Sequence, residues 1–184
     1  MQVATDVDMD DKRRRFEAQL MPHLDAAYNL ARWLARSSAD ADDIVQEAML
    51  RAFRGFDGFR GADAKPWLLA IVRNVFFSSR PRARRKMMPL PEDGEEALVD
   101  DAPDPEHVMM GTDQGRKLDQ VIATLPSGFR EVLILREMED MSYRDIAQAT
   151  GTPIGTVMSR LARARAMLKE KWLSDVEGVP NGVR

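Results

Sequence analysis

The sequence predicts an all-α protein with two small helical domains joined by a flexible acidic linker. Through most of the chain, apolar residues recur at spacings of three and four, which is the period of an amphipathic helix. Residues 87–112 lose this period and contain several prolines and many acidic residues, as is typical of a linker. Residues 141–168 contain two helical patterns separated by a glycine and a proline, which predicts a helix-turn-helix. We therefore expect helical domains at residues 12–86 and 113–173.

The composition is that of a globular chain without disulfides. Of the 184 residues, 44% are apolar and 31% are charged, which excludes a disordered or fibrous protein. The lack of cysteine excludes disulfides and thiolate metal sites and is compatible with a reducing cytoplasm. No stretch approaches the roughly 20 apolar residues of a membrane span, and the charged N-terminus is unlike a secretory signal. We expect a cytoplasmic protein with no membrane segment.

The first predicted helix spans residues 16–36. Its apolar residues at helical spacing are Phe16, Leu20, Leu24, Ala27, Ala31 and Leu34. Pro22 falls inside this pattern and is expected to divide or kink the helix. His23 has no second potential metal ligand nearby, so we expect it to be structural.

The second predicted helix spans residues 39–56, with Ser38 as its N-cap and acidic residues in its first turn. Its core side holds Ile44, Val45, Ala48, Met49, Ala52 and Phe56. The opposite side holds Asp43, Gln46, Glu47, Leu50 and Arg54, so that one leucine is surrounded by polar residues. This arrangement suits a docking face for a basic partner helix. A metal or acid–base site is the alternative, but the adjacent Asp42 and Asp43 diverge on a helix.

A glycine-containing loop at residues 57–64 precedes a third helix at residues 66–79. Leu68, Ile71, Val72 and Val75 mark its core side. The other side carries Trp67, Ala70, Arg73, Asn74 and Phe77. Aromatic rings, an amide and a cation together fit single-stranded nucleic acid, which stacks on rings and offers phosphates to cations. The alternative is that the rings are buried between helices.

The basic run at residues 80–86 precedes the linker and suits a nucleic-acid backbone.

Two short helices are predicted after the linker. The first short helix, residues 114–125, has Leu118, Val121, Ile122 and Leu125 on its apolar side. The second, residues 128–138, turns Phe129, Val132, Leu133 and either Leu135 or Met138 inward.

The helix-turn-helix is predicted from its capping residues. Ser142 can cap the first helix, with Asp145 as the partner of a capping box. Gly151 is expected to end that helix, because glycine accepts the left-handed backbone of a C-terminal cap. Pro153 stands where the second helix begins.

The second helix has an apolar stripe and a polar face. The stripe, expected to face the core, is Ile154, Val157, Leu161, Ala164 and Leu168. The opposite face collects Thr156, Ser159, Ala162, Arg163 and Ala166. Small residues beside an arginine suit a helix that enters the DNA major groove, and Arg160, Arg165, Lys169 and Lys171 could meet phosphates. The alternative is an ordinary amphipathic helix with a solvated basic face.

The net charge of −3 is unusual for a protein that holds DNA unaided. Basic residues cluster at residues 12–15, 80–86 and 160–171, whereas acidic residues fill 6–11 and 92–106. If this protein binds DNA, we expect the charges to be segregated and another molecule to supply part of the affinity.

Over about residues 12–171 the chain resembles the extracytoplasmic-function (ECF) sigma factors of bacterial RNA polymerase. The resemblance is carried by four segments in family order: DADDIVQEAMLRAF, FRGADAKPWLLAIVRN, LPSGFREVLILRE and MSYRDIAQATGTPIGTVMSRLARAR. It implies a transcription initiation factor that binds core RNA polymerase and promoter DNA, has no catalytic residues, metal or cofactor, and is controlled by an anti-sigma factor.

The resemblance also implies roles for particular residues. Polymerase docking falls to Asp43, Gln46, Glu47 and Leu50. Recognition of the minus-ten element as melted single strand falls to Arg60, Lys65, Trp67, Arg73 and Asn74. Recognition of the minus-thirty-five element as duplex falls to Thr156, Met158, Ser159, Arg160 and Arg163. Met158 departs from the family pattern, since many relatives carry arginine or lysine there.

Two other classes of protein remain as alternatives. An autonomous DNA-binding regulator would explain the helix-turn-helix but not the acidic helix or the aromatic helix. An adaptor that titrates an anti-sigma factor would keep the docking surfaces and lose the DNA-reading residues, yet Trp67, Asn74, Ser159 and Arg163 are present.

Overall fold

The computed structural model describes residues 2–35, 37–79 and 113–177, and this part of the chain contains helices and no strands. The N-terminal unit consists of α1 (Gln2–Leu20), α2 (Leu24–Ala35), α3 (Ser38–Gly55) and α4 (Ala64–Ser79). The C-terminal unit consists of α5 (Asp113–Ala123), α6 (Ser127–Glu137), α7 (Tyr143–Thr150) and α8 (Ile154–Glu177). The predicted basic run at residues 80–86 and the linker at residues 87–112 lie outside the described residues.

Pro22 divides the first predicted helix, as expected. A single 3₁₀ turn, Met21–His23, separates α1 from α2, because proline lacks the backbone donor that a continuous helix needs. The helix before this turn is longer than predicted and begins at Gln2 rather than Phe16. Phe16 and Leu20 at its C-terminal end are buried and attach it to the rest of the N-terminal unit.

The predicted cap of α3 was wrong by one residue. Ser37, not Ser38, has the extended backbone of an N-cap, and its Oγ accepts a hydrogen bond from the backbone nitrogen of Asp40 at 3.4 Å. Ser38 is already the first helical residue. The phase of the helix is as predicted, with Ile44, Val45 and Ala48 buried.

The caps of the helix-turn-helix are as predicted. The Ser142 hydroxyl accepts a hydrogen bond from the Asp145 backbone nitrogen at 3.1 Å and lies 2.6 Å from the Asp145 carboxylate. Gly151 ends α7 with a left-handed φ of 66°, and its backbone nitrogen donates to the carbonyl of Ala147. The turn therefore sets the angle at which α8 leaves α7.

Two residues predicted to face the core are exposed instead: Leu118 and Ile154. Ile154 is the first residue of α8, one turn before the buried Val157 and two turns before the buried Leu161. Met138 lies just after α6, and Leu135 takes the inward position that the sequence left open between the two.

The cores of the two units are continuous in this structure. Helix α4 packs against α7, and α2 packs against α6. Buried residues of both units belong to one apolar cluster, from Leu30 and Leu69 on one side to Leu135 and Ile146 on the other. The faces of α2 and α4 that meet the C-terminal unit are therefore covered by it.

Candidate nucleic-acid and partner interfaces

The outer face of α3 exposes the side chains that the sequence assigned to docking. Asp43 and Gln46 are exposed, and the Leu50 side chain is 52% exposed despite its size. Glu47 is half-buried and accepts a hydrogen bond from Arg51 Nε at 2.6 Å, one turn further along the helix. Exposure of Leu50 is possible because Ile44, Val45 and Ala48 on the opposite side supply the buried contacts of this helix.

A largely apolar open groove of about 710 Å³ lies beside this face. Helices α1, α2 and α3 form it, with Asp25, Asp42, Gln46 and Leu50 among its polar and exposed lining residues. Its apolar lining comes from Phe16, Met21, Leu24, Tyr28, Val45, Met49 and Phe53. An apolar floor with acidic residues around it suits an amphipathic segment that carries basic residues.

The aromatic residues at the start of α4 pack against one another. The Trp67 ring lies 4.7 Å from that of Phe59 and 6.5 Å from that of Phe56, measured between centroids. Trp67 is half-buried in this cluster, so the alternative of a packed ring describes its position in the structure. Phe77, at the other end of α4, lies beneath the guanidinium of Arg73 at 4.6 Å.

Two predicted minus-ten residues make ion pairs with the C-terminal unit. Arg73 Nε lies 2.6 Å from the Glu131 carboxylate, and Lys65 Nζ lies 2.9 Å from that of Glu139. Lys65 also donates a hydrogen bond to the Glu139 backbone carbonyl at 2.7 Å. In this arrangement neither cation is free to meet a phosphate.

Glu131 combines deep burial with two nearby cations. Its side chain is 2% exposed, and burial raises its pKa from the ordinary range, whereas the charge of Arg73 and, to a smaller extent, that of Arg160 oppose this. The pKa of Arg160 is lowered by burial, and the Glu131 carboxylate partly offsets this. Arg73 lowers the pKa of Arg160 further. Glu131 thus pairs with a predicted minus-ten residue, and its charge also acts on a predicted minus-thirty-five residue.

The remaining predicted minus-ten residues are exposed. Arg60 is exposed, and its guanidinium donates hydrogen bonds to the backbone carbonyls of Asp57 and Phe59 in its own loop. Asn74 is exposed on α4, one residue after Arg73. Both therefore lie at the solvent side of the surface that the sequence predicted for single-stranded DNA.

Helix α8 presents a mixed face to solvent. Met158, Ser159 and Arg163 are exposed, whereas Thr156 and Arg160 are half-buried. The Ser159 hydroxyl donates to the Thr156 carbonyl at 3.1 Å, within its own helix. Within the described part of the chain, no carboxylate lies within ion-pair distance of Arg163.

Other cations of α8 are engaged within the C-terminal unit. Arg165 forms an exposed ion pair with Glu137 on α6, with Arg165 Nε 3.0 Å from the carboxylate, and this hydrogen bond raises the Arg165 pKa. Lys171 Nζ donates to the hydroxyl of Thr124 at 2.9 Å. Arg163 and Lys169 are left as exposed cations on the helix.

Sequence reasoning missed the residues that join the two units: Asn29, Glu131 and Glu139. The side-chain nitrogen of Asn29 donates to the Glu139 carboxylate at 2.7 Å. A signal for Glu131 does exist in the sequence, since it interrupts the apolar run of α6, and a buried carboxylate needs a partner. Nothing in the sequence identifies that partner as Arg73.

The described ranges contain neither a metal site nor a membrane span. No group of three or more histidine, cysteine, aspartate or glutamate side chains in residues 2–35, 37–79 and 113–177 could hold a metal ion. No helix in the same ranges is long and apolar enough to cross a bilayer.

Two family models match the chain, one in each unit. Residues 20–86 match the model described as Sigma-70 region 2, and residues 115–168 match the model described as Sigma-70, region 4. The first covers α2 to α4, and the second covers nearly all of α5 and the whole helix-turn-helix.

Two curated relatives that are named ECF sigma factors are similar to this chain. The ECF RNA polymerase sigma-E factor of Haemophilus influenzae is 35% identical over 150 residues, which cover 77% of this chain and 78% of that protein. The ECF RNA polymerase sigma factor SigE of Mycolicibacterium smegmatis is 34% identical over 149 residues, or 80% of this chain. The match spans only 58% of the length of that relative.

Two solved structures are similar to this one. The sigma factor RpoE from Bartonella quintana, crystallised with the anti-sigma factor NepR, has a TM-score of 0.66 at 30% identity, covering 85% of this chain and 96% of that chain. CnrH in complex with the cytosolic domain of CnrY has a TM-score of 0.62 at 24% identity, covering 89% and 90% respectively. The second similarity supports the fold alone.

Proposed function

Because this chain belongs to the ECF sigma factors of bacterial RNA polymerase, a family of non-enzymatic transcription initiation factors, we propose that it binds core polymerase and reads two promoter elements with separate helices. The main support is that Leu50 is exposed at an apolar groove in the N-terminal unit, while the C-terminal unit contains a helix-turn-helix. An apolar groove whose lining includes Asp25 and Asp42 suits a protein partner better than the DNA backbone. We expect the protein to act in the cytoplasm, with the polymerase.

The outer face of α3 and its groove bind the polymerase in this proposal. Leu50 supplies apolar contact, while Asp43 and Gln46 meet basic and polar groups of the partner helix. Glu47 can join them by releasing Arg51, because an exposed ion pair one helical turn apart contributes only about 0.3–0.5 kcal/mol. The acidic sign of this face matches a docking partner that is basic and is unsuited to DNA.

Helix α4 and its preceding loop take the minus-ten element as melted single strand. The aromatic cluster of Phe59 and Trp67 provides a ring surface beside the exposed Arg60 and Asn74. Flipped bases stack on such rings and present their edges to amides. Arg73 and Lys65 would join this surface only after their carboxylate partners on the C-terminal unit are released.

Helix α8 reads the minus-thirty-five element as duplex. Val157 and Leu161 hold the helix on its core, and the exposed face carries Met158, Ser159 and Arg163. A second helix of a helix-turn-helix enters the major groove with its N-terminal residues at the base edges. Thr156 and Arg160, half-buried here, complete the set that the family pattern assigns.

Control by an anti-sigma factor is the expected regulation. The solved relative RpoE was crystallised with one, NepR, and we expect a similar partner for this chain to bind between the two units. Coexpression with the products of neighbouring genes, followed by copurification, tests this expectation. An absence of any complex would remove support for it.

In vitro transcription tests the function. Purified core polymerase is mixed with this protein and a genomic DNA pool, and the transcript starts are sequenced. Discrete starts that share two spaced upstream elements support an initiation factor. Polymerase binding without transcripts favours the anti-sigma adaptor, and tight duplex binding without polymerase favours an autonomous regulator.

A further inference from the structure

Two large apolar side chains are exposed at the start of α8. Ile154 is 46% exposed and Met158 is 52% exposed, and their spacing of four places them on the same face of the helix. Helix α8 is firmly packed at this point, because Val157 between them is fully buried. Their exposure is therefore a property of a well-ordered surface.

Polar groups near these two side chains are either half-buried or already hydrogen-bonded within the helix. The Ser159 hydroxyl is bound to the carbonyl of Thr156, and Arg160 is half-buried near Glu131. The space beyond Gly155 is open, because a methyl group placed there would have no atom within 4 Å apart from the adjacent residues and the backbone of its own helix. The first turns of α8 therefore expose apolar side chains at a position where a partner can approach the backbone closely.

The major groove offers one apolar group, the C5-methyl of thymine, and polar edges at all other positions. The first residues of a recognition helix are those that reach base edges. Exposed Arg163 and Lys169 give the same helix a positive charge, which favours DNA over a protein as the occupant. We propose that Ile154 and Met158 determine specificity by contacting thymine methyl groups in the upstream promoter element. This inference rests on the proposed role of α8 as reader of that element.

Replacement of thymine by uracil tests the contact, because uracil pairs identically and lacks only the methyl group. A promoter found by sequencing transcript starts is synthesised with deoxyuridine at each upstream thymine in turn. Holoenzyme should initiate about fourfold less often at one or more of these templates, the factor typical of losing one buried methyl or methylene contact. We define the thymine-to-uracil ratio as the initiation frequency on the thymine template divided by that on the uracil template. In Met158→Ala or Ile154→Ala this ratio should fall towards one at the contacted position.

Leu173→Ala is the matched control, since Leu173 is also exposed, at 47%, but lies near the far end of α8. It should keep the wild-type ratio. Equal use of thymine and uracil templates by the wild type would falsify the inference, as would an upstream element without thymine. A complete lack of discrete starts on unmodified DNA would instead remove the proposed function, and this inference with it.

Discussion

Lys65 at the start of α4 donates a hydrogen bond to the backbone carbonyl of Glu139 at 2.7 Å and meets the carboxylate of the same residue at 2.9 Å. Asn29 on α2 donates to that carboxylate at 2.7 Å from another side. Glu139 is therefore a point where α2, α4 and the end of α6 meet. The contact between the units combines an apolar core with satisfied polar groups, so removal of one partner should have a measurable cost.

Glu139→Ala should lower the free energy of unfolding by about 1–3 kcal/mol, because it leaves Lys65 and Asn29 without their carboxylate acceptor in a mostly buried place. Urea titration followed by circular dichroism measures the change. Glu137→Ala is the control, since its exposed pair with Arg165 should contribute only about 0–1 kcal/mol. Equal losses in the two variants would contradict the prediction.

Leu50→Asp should abolish capture of core polymerase and leave the thermal midpoint nearly unchanged. The side chain is half exposed at the groove, so the charge is tolerated by the fold but not by an apolar partner surface. Fluorescence anisotropy with core polymerase gives the affinity. Met9→Asp provides the control, because Met9 is 57% exposed on α1 and lies outside the groove.

Arg163→Ala should reduce transcription from cognate promoters by the equivalent of about 1–3 kcal/mol and spare polymerase binding. The arginine is exposed and has no carboxylate partner in the described residues, so its removal should weaken DNA binding and leave the internal contacts of the protein intact. Run-off transcription and a polymerase pull-down separate the two effects. Arg165→Ala is expected to cost less, since Arg165 is already paired with Glu137. A larger loss for Arg165→Ala would reverse the assignment of the reading face.

Local signals predicted much of the fold. The caps at Ser142 and Gly151 bond to residues within five positions, and Pro22 acts through the backbone donor that it lacks. Such local effects can be predicted from the sequence itself. The prediction for Ile154 failed because periodicity gives the angle of a residue around the helix and not the extent of the core along it. The two adjacent serines at the start of α3 are chemically equivalent as caps, and only the backbone distinguishes Ser37 from Ser38.

Contacts between the two units could not be predicted from sequence patterns. Arg73 and Glu131 are 58 positions apart, and Asn29 and Glu139 are 110 apart. Each of these residues also has an ordinary explanation as a solvated polar side chain. The predicted roles of Lys65 and Arg73 in DNA binding remain predictions, and the structure adds the carboxylates with which DNA must compete.

Stability should depend on pH through Glu131. Burial raises its pKa in the folded protein above the unfolded value, so the folded state binds more protons in the window between the two values. Its contribution to the free energy of unfolding is therefore fully present below the unfolded pKa of about 4.5 and is lost as pH rises through the folded pKa. The stability difference between the wild type and Glu131→Gln, measured by urea unfolding, should become smaller or reverse as pH rises from the acidic side towards neutrality. A difference that grows with pH would mean that Arg73 and Arg160 outweigh burial, with the Glu131 pKa lowered instead.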